Sequence, residues 1–174
     1  MKKDSSEEMK KDSSAAEGIR LLIKLLAVAL AMVILLQFVL GVFIAHTNDM
    51  FPSVRDGDLL ITCRVKPIAY GDIIAYKAGG QRRFGRVVGM PGDVVDIDAG
   101  GILRINGQIP YETASGETYP VAAAEISYPF TVEDGNYFVL NDRRDSTGDS
   151  RIFGSVPREA SAGSLVLLLR RRSW

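Results

Sequence analysis

From Leu25 to Ala45 the chain runs through 21 residues of which only Gln37 is polar. As a helix rising about 1.5 Å per residue, such a run spans roughly 31 Å, which matches a hydrocarbon core of about 30 Å. A freely soluble cytoplasmic protein is therefore not the default expectation. A cleavable secretory signal competes with a retained anchor. Its apolar region would be shorter, about 7 to 15 residues, and Phe43-Ile44-Ala45-His46-Thr47 lacks small residues at the two positions a cleavage site needs. The expectation is a single transmembrane helix over residues 25–45.

The flanks of the run differ in kind. Residues 1–24 are polar and repeat the string Met-Lys-Lys-Asp-Ser-Ser at Met1 and again at Met9. With no apolar face to bury, this stretch is expected to be a disordered tail. Lys2, Lys3, Lys10, Lys11, Arg20 and Lys24 precede the run, and Arg55 is the first cation after it. That asymmetry puts the tail in the cytoplasm, and residues 46–174 outside the cell membrane as one extracytoplasmic domain. Lys plus Arg number 21 and Asp plus Glu number 21, so no global positive field invites nucleic acid. The single Cys63 excludes a disulfide framework or a Cys-rich metal site, and no cofactor or metal is expected.

After His46 the helical period disappears. Short stretches rich in Val, Ile, Tyr and Phe recur between Gly, Pro, Asp and Asn, which predicts an all-β domain of antiparallel strands. The predicted strands are 59–65, 73–76, 82–88, 94–97, 102–105, 130–132, 137–140 and 164–169. Asn106-Gly107 supplies the positive φ angles of a tight hairpin. Residues 111–128 show no alternation and read as a loop over the sheet. Arg170-Arg171-Arg172-Ser173-Trp174 reads either as a solvated basic tail or as a contact with anionic lipid.

Four segments, in this order and spacing, resemble the type I signal peptidases in the compact form found in Gram-positive bacteria. They are Asn48 to Asp58, Gly71-Asp72-Ile73-Ile74-Ala75-Tyr76, Arg86-Val87-Val88-Gly89-Met90-Pro91-Gly92-Asp93, and Asn141 to Gly154. The resemblance implies a signal-peptidase-like antiparallel β domain behind one N-terminal transmembrane helix. In that family a serine placed immediately before the methionine of the first segment attacks the scissile carbonyl. A lysine placed immediately before the arginine of the third segment is the base. Those positions here hold Asp49 and Gly85. A carboxylate is a poor acyl-transfer nucleophile toward an amide, and glycine is no base at all.

The resemblance also assigns a residual shell. Thr47 matches the hydroxyl that helps stabilise an oxyanion, and Thr147 matches a hydroxyl that orients the lysine. Asp149 and Arg151 match a polar pair, read here as a structural ion pair holding the last segment. Asn141 and Arg143 depart from the family's glycine and asparagine. Met50-Phe51 reads equally as an exposed apolar rim or as core. His46, Ser53 and Lys77 are the available parts for a relocated dyad, and none has a partner in the pattern.

What the resemblance then implies is a pseudoenzyme of the serine peptidase family. It would bind an extended polypeptide segment as an added strand without cutting it. The binding-groove candidates are Asp49, Met50, Phe51, Pro52, Gly85 and Arg86, with glycine at 85 leaving open the volume that the lysine fills in the family. Signal-peptidase-like proteins without catalytic residues accompany sortase-built pili, so the implied role is accessory factor or chaperone in pilus assembly. The implied partners are a pilin subunit or a sortase, and the membrane. The alternative is an active signal peptidase with an unorthodox site.

Overall fold

The computed structural model describes residues 4–111, 117–122 and 124–170, with side chains described from Glu17 onward. The chain divides into two units, Met1–Val39 and Leu40–Trp174.

In the first unit, helix α1 covers Asp4–Ile34 and its end widens into a π turn over Leu35–Val39. Within it, Glu17–Val39 is one helix of 23 residues long and apolar enough to cross a membrane. Two expectations fail here. The tail expected to be disordered is helical from Asp4. Its Glu, Lys, Met and Ala residues are good helix formers, and the adjoining apolar helix supplies a nucleus that they only extend. The helix expected to continue to residue 45 stops at Val39 instead, and Leu40–Ile44 is strand β1.

The cause of that early stop lies in the sequence of β1 and in its partner. Val42, Phe43 and Ile44 are β-branched or aromatic and favour a pleated, half-buried surface. Gly41 and Phe43 turn inward while Val42 and Ile44 turn out. A Cβ on Gly41 would come within 2.6 Å of both the Phe43 ring and the Thr62 hydroxyl, so only glycine lets this strand lie so close to its neighbour. The partner is β2 (Leu59–Cys63), antiparallel in a register running from Leu40 opposite Cys63 to Ile44 opposite Leu59.

The second unit is all-β. Its further strands are β3 (Ile73–Ala78), β4 (Gln81–Gly89), β5 (Val94–Ile97), β6 (Leu103–Ile105), β7 (Phe130–Thr131), β8 (Asn136–Leu140), β9 (Val156–Pro157) and β10 (Ser161–Leu169). Seven form one antiparallel sheet in the order β1-β2-β10-β3-β4-β8-β9, and three form a second in the order β6-β5-β7. The strands read from the sequence all exist, with ends moved by up to three residues, and β1 and β9 are additional to them. The Asn106-Gly107 turn has φ angles of 53° and 79°. Of the expected loop over 111–128, residues 112–116 and 123 lie outside the described residues, and the rest holds no strand.

Three apolar clusters fill the unit. One, around Val95, Phe138 and Leu140, joins the small sheet to the large one. A second, around Ile74, Tyr76, Val87 and Val139, packs on one face of β3, β4 and β8. A third, around Ala45, Met50, Val54 and Leu60, sits under the turn after β1. Among the described residues, two of the stretches of backbone edge that the large sheet leaves unpaired lie on β1 and β4. β1 ends the sheet, and β4 pairs with β8 only from Arg86 onward, so Gln81–Gly85 hydrogen-bond to β3 alone. Phe43 of β1 and Phe84 of β4 meet with ring centroids 6.2 Å apart. The sheet therefore curls until these two edges face each other.

Candidate functional site

Between the two edges lies a cleft of about 440 Å³. Val42, Phe43, Ile44, His46, Thr47 and Asp49 line one side, Gln81 to Phe84 the other, and Asn141 and Gly148 close one end. The turn carrying Asp49 is fixed from below. Met50 is only 3% exposed and belongs to the core cluster, while the Arg143 N–H donates to the Asp49 carbonyl at 2.9 Å. The Asp49 side chain is thereby presented to the cleft, where the Ser146 hydroxyl donates to its Oδ1 at 2.6 Å.

Behind this contact the segment 141–151 is pinned by one buried ion pair. Arg151 reaches Asp149 with Nε to Oδ1 at 2.9 Å and a second guanidinium nitrogen to Oδ2 at 2.8 Å, and both side chains are almost wholly buried. The same guanidinium donates to the carbonyls of Arg144 and Ser146. The Asp149 carboxylate also accepts from the backbone N–H groups of Asn141 and Arg151, capping the short helix α2 (Ser150–Phe153). Charge and hydrogen-bonding capacity are matched, which is what makes such burial tolerable.

Gly85 is not beside an open volume. It faces the second core cluster, and a Cβ built there would meet the Tyr76 ring and Val139 Cβ, each at 3.2 Å. Tyr76 and Val139 already occupy the space that a longer side chain at 85 would need. The Tyr76 phenol is 1% exposed and its hydroxyl has no hydrogen-bond partner among the described residues. Burial pushes this phenol well above the usual tyrosine range; the carboxylates of Asp149 and Asp49 add to the rise and Arg83 opposes it.

Of the expected groove residues, only Asp49 lines the cleft. Met50 is core, as the third cluster needs an apolar plug under the turn. Phe51 and Pro52 are exposed away from the cleft, with the Arg55 guanidinium 5.3 Å from the centre of the Phe51 ring. Arg86 alternates to the face opposite Gly85 and grips Asp142 with two contacts of 2.6 Å, the Gly71 carbonyl at 2.8 Å and the Ser53 hydroxyl at 3.1 Å. Its donors are consumed in holding the first, second and last segments together. Thr47 and Asn141 do reach the cleft, whereas Thr147 is exposed on the loop.

The candidate parts for a relocated dyad, His46, Ser53 and Lys77, are not brought together among the described residues. His46 lines the cleft without a hydrogen bond among them, Ser53 is engaged by Arg86, and Lys77 is exposed on β3. Sequence reasoning did not reach Ser146 or Tyr76. By the same resemblance Ser146 stands at a position that is asparagine in the family pattern, so two residues that depart from that pattern, Asp49 and Ser146, are hydrogen-bonded to each other. That pairing of departures was the signal available for finding it.

Residues 19–169 match the family model described as signal peptidase, peptidase S26. The chain is 30% identical over 161 residues to a probable signal peptidase I-1 of Synechocystis, covering 81% of this chain and 77% of that protein. It is 31% identical over 178 residues to a signal peptidase I of Leptolyngbya laminosa, covering 94% and 83%. It is 26% identical over 153 residues to an inactive signal peptidase IA of Staphylococcus aureus, covering 82% and 88%. A crystal structure of a signal peptidase I from Enterococcus faecalis aligns with 59% of this chain and 99% of its own, at 32% identity and a TM-score of 0.49.

Proposed function

The chain belongs to the signal peptidase family S26, and within it we propose a member that binds an extended polypeptide without cleaving it. The observation that carries this reading is the state of the two family dyad positions. At the nucleophile position a carboxylate accepts a hydrogen bond from Ser146, and at the base position the space beside a glycine is filled by Tyr76 and Val139. Neither a nucleophile nor a lysine base can act there. What persists is the means of binding: two unpaired backbone edges, on β1 and on Gln81–Gly85 of β4, bordering one cleft. An extended segment entering between them completes both edges with main-chain hydrogen bonds, which needs no catalytic group.

The inactive relative from Staphylococcus aureus supports such a member of the family; the relatives named as signal peptidases mean that membership alone does not decide the activity. In this reading the apolar helix anchors the chain in the cell membrane, with the N-terminus cytoplasmic and the β unit outside. The process it serves is assembly of surface proteins, as accessory factor or chaperone for sortase-built pili, on the resemblance to pilus-associated proteins that lack the dyad. A photo-crosslinking amino acid at Ile44, on the cleft rim, tests this in cells that assemble such pili. The expected outcome is capture of an uncleaved pilin or sortase segment. Capture at Val65, an exposed residue away from the cleft, with none at Ile44, counts against it.

The second reading is an active enzyme in which Asp49 acts as base toward Ser146, favoured only by their 2.6 Å hydrogen bond. A carboxylate is a weak base for an alcohol, so this pair is the poorer account.

A further inference from the structure

One wall of the cleft is cationic. From Ile73 to Gly89 the β3–β4 hairpin carries Lys77, Arg82, Arg83 and Arg86 and not one carboxylate. Arg86 is neutralised by Asp142. Arg83 donates from its two terminal nitrogens to neutral acceptors, the Gly148 carbonyl at 3.2 Å and the Gln81 side chain at 3.2 Å. Its Nε is buried without a hydrogen-bond partner among the described residues, so it does not present a free fork to the cleft. Lys77 and Arg82 lie directly opposite each other in the strand register, an arrangement of like charges that costs stability until an anion joins it.

Arg82 is the member of this group prepared for an anion. It lines the cleft, and its guanidinium carbon sits 4.4 Å from the centre of the Phe43 ring. Stacking uses the flat face of the guanidinium and leaves the in-plane N–H groups, whose fork matches a carboxylate. Among the described residues no carboxylate pairs with Arg82. Because Phe43 on one edge strand and Arg82 on the other meet side chain to side chain, a segment lying in the cleft alongside them passes beside this fork.

Building on the strand-addition reading, we infer that the segment this cleft accepts carries an acidic side chain, Asp or Glu, at the residue that lies against Arg82. Asp49, at the other part of the same cleft, repels a second acidic residue there, so the charge has one favoured position rather than being a general preference for anions. A lipid headgroup is the less fitting occupant, since the unpaired backbone donors and acceptors on both sides of Arg82 call for a peptide.

The test uses the full chain in phosphatidylcholine nanodiscs and fluorescein-labelled ten-residue peptides of Val, Thr and Ala carrying a single Glu, Gln or Lys at successive positions. At one position the Glu peptide is expected to bind about ten-fold more tightly than the Gln peptide. This advantage should shrink with added salt, vanish in Arg82→Gln and return in part in Arg82→Lys, with thermal midpoints showing both variants folded. Equal affinity for Glu and Gln peptides overturns the acid preference while leaving strand addition standing. Failure of every peptide to bind overturns both. A Glu advantage that persists in Arg82→Gln, or that disappears when phosphatidylglycerol is added to the discs, overturns the assignment of Arg82 to a peptide carboxylate.

Discussion

At the scale of single residues, the two positions that the resemblance assigns to the family dyad are occupied by other contacts. Asp49 is tied to Ser146 across 97 positions of sequence, and Gly85 is backed by Tyr76. The packing of Tyr76 against Gly85 was not legible in the sequence, and the Asp49–Ser146 contact left only the hint that both residues depart from the family pattern, since no periodicity or local motif links residues so far apart. Restoring Asp49→Ser with Gly85→Lys is therefore expected to give no signal-peptide cleavage. The new lysine stem meets Tyr76 and Val139, and overpacking should lower stability by about 1–3 kcal/mol. Cleavage assays and urea unfolding of the double variant check both parts. Tyr76→Phe is the converse experiment. It removes a buried hydroxyl without a partner among the described residues, so at neutral pH it should leave stability unchanged or raise it by about 1 kcal/mol. The folded-state pKa of this phenol lies above its unfolded value, so its share of stability is present below about pH 10 and is lost as the pH rises beyond that. Thermal melts from pH 7 to 11 should accordingly show a smaller alkaline loss for Tyr76→Phe than for the parent.

At the scale of elements, β1 and the 141–151 segment are the two pieces that build the cleft. Composition alone makes 25–45 one apolar run, and hydropathy does not distinguish the last turns of a membrane helix from a strand with one buried face. What decides is a partner strand further down the chain, Leu59 opposite Ile44, with Gly41 allowing close approach. The strand matters because it supplies one wall of the cleft. By contrast, turn and alternation signals are local, which is why most of the strands between 59 and 169 are readable from sequence. The 141–151 segment has no regular structure until α2 and depends on Arg151. Arg151→Met should destabilise the β unit by about 3–5 kcal/mol, because it leaves a buried Asp149 carboxylate uncompensated and two carbonyls without their donor. Urea unfolding measures the loss. A change below about 1 kcal/mol, the range of exposed pairs, would show that the pair does not hold this segment.

At the scale of the whole molecule, the proposed function assigns the apolar N-terminal helix to anchoring and the cleft of the all-β unit to holding an uncut exported chain. The family was legible from four segments spread over the β unit; the cleft's true walls were not, because they depend on how far the sheet curls. In such a protein binding and cleavage are separated within one molecule. The most direct measurement incubates the full chain, in nanodiscs, with a labelled exported precursor and follows bound and cut precursor together by crosslinking and mass spectrometry. Precursor crosslinked to the cleft with its backbone intact is the expected result. Specific cleavage at one bond that disappears in Asp49→Ala or Ser146→Ala would contradict a member that binds without cutting.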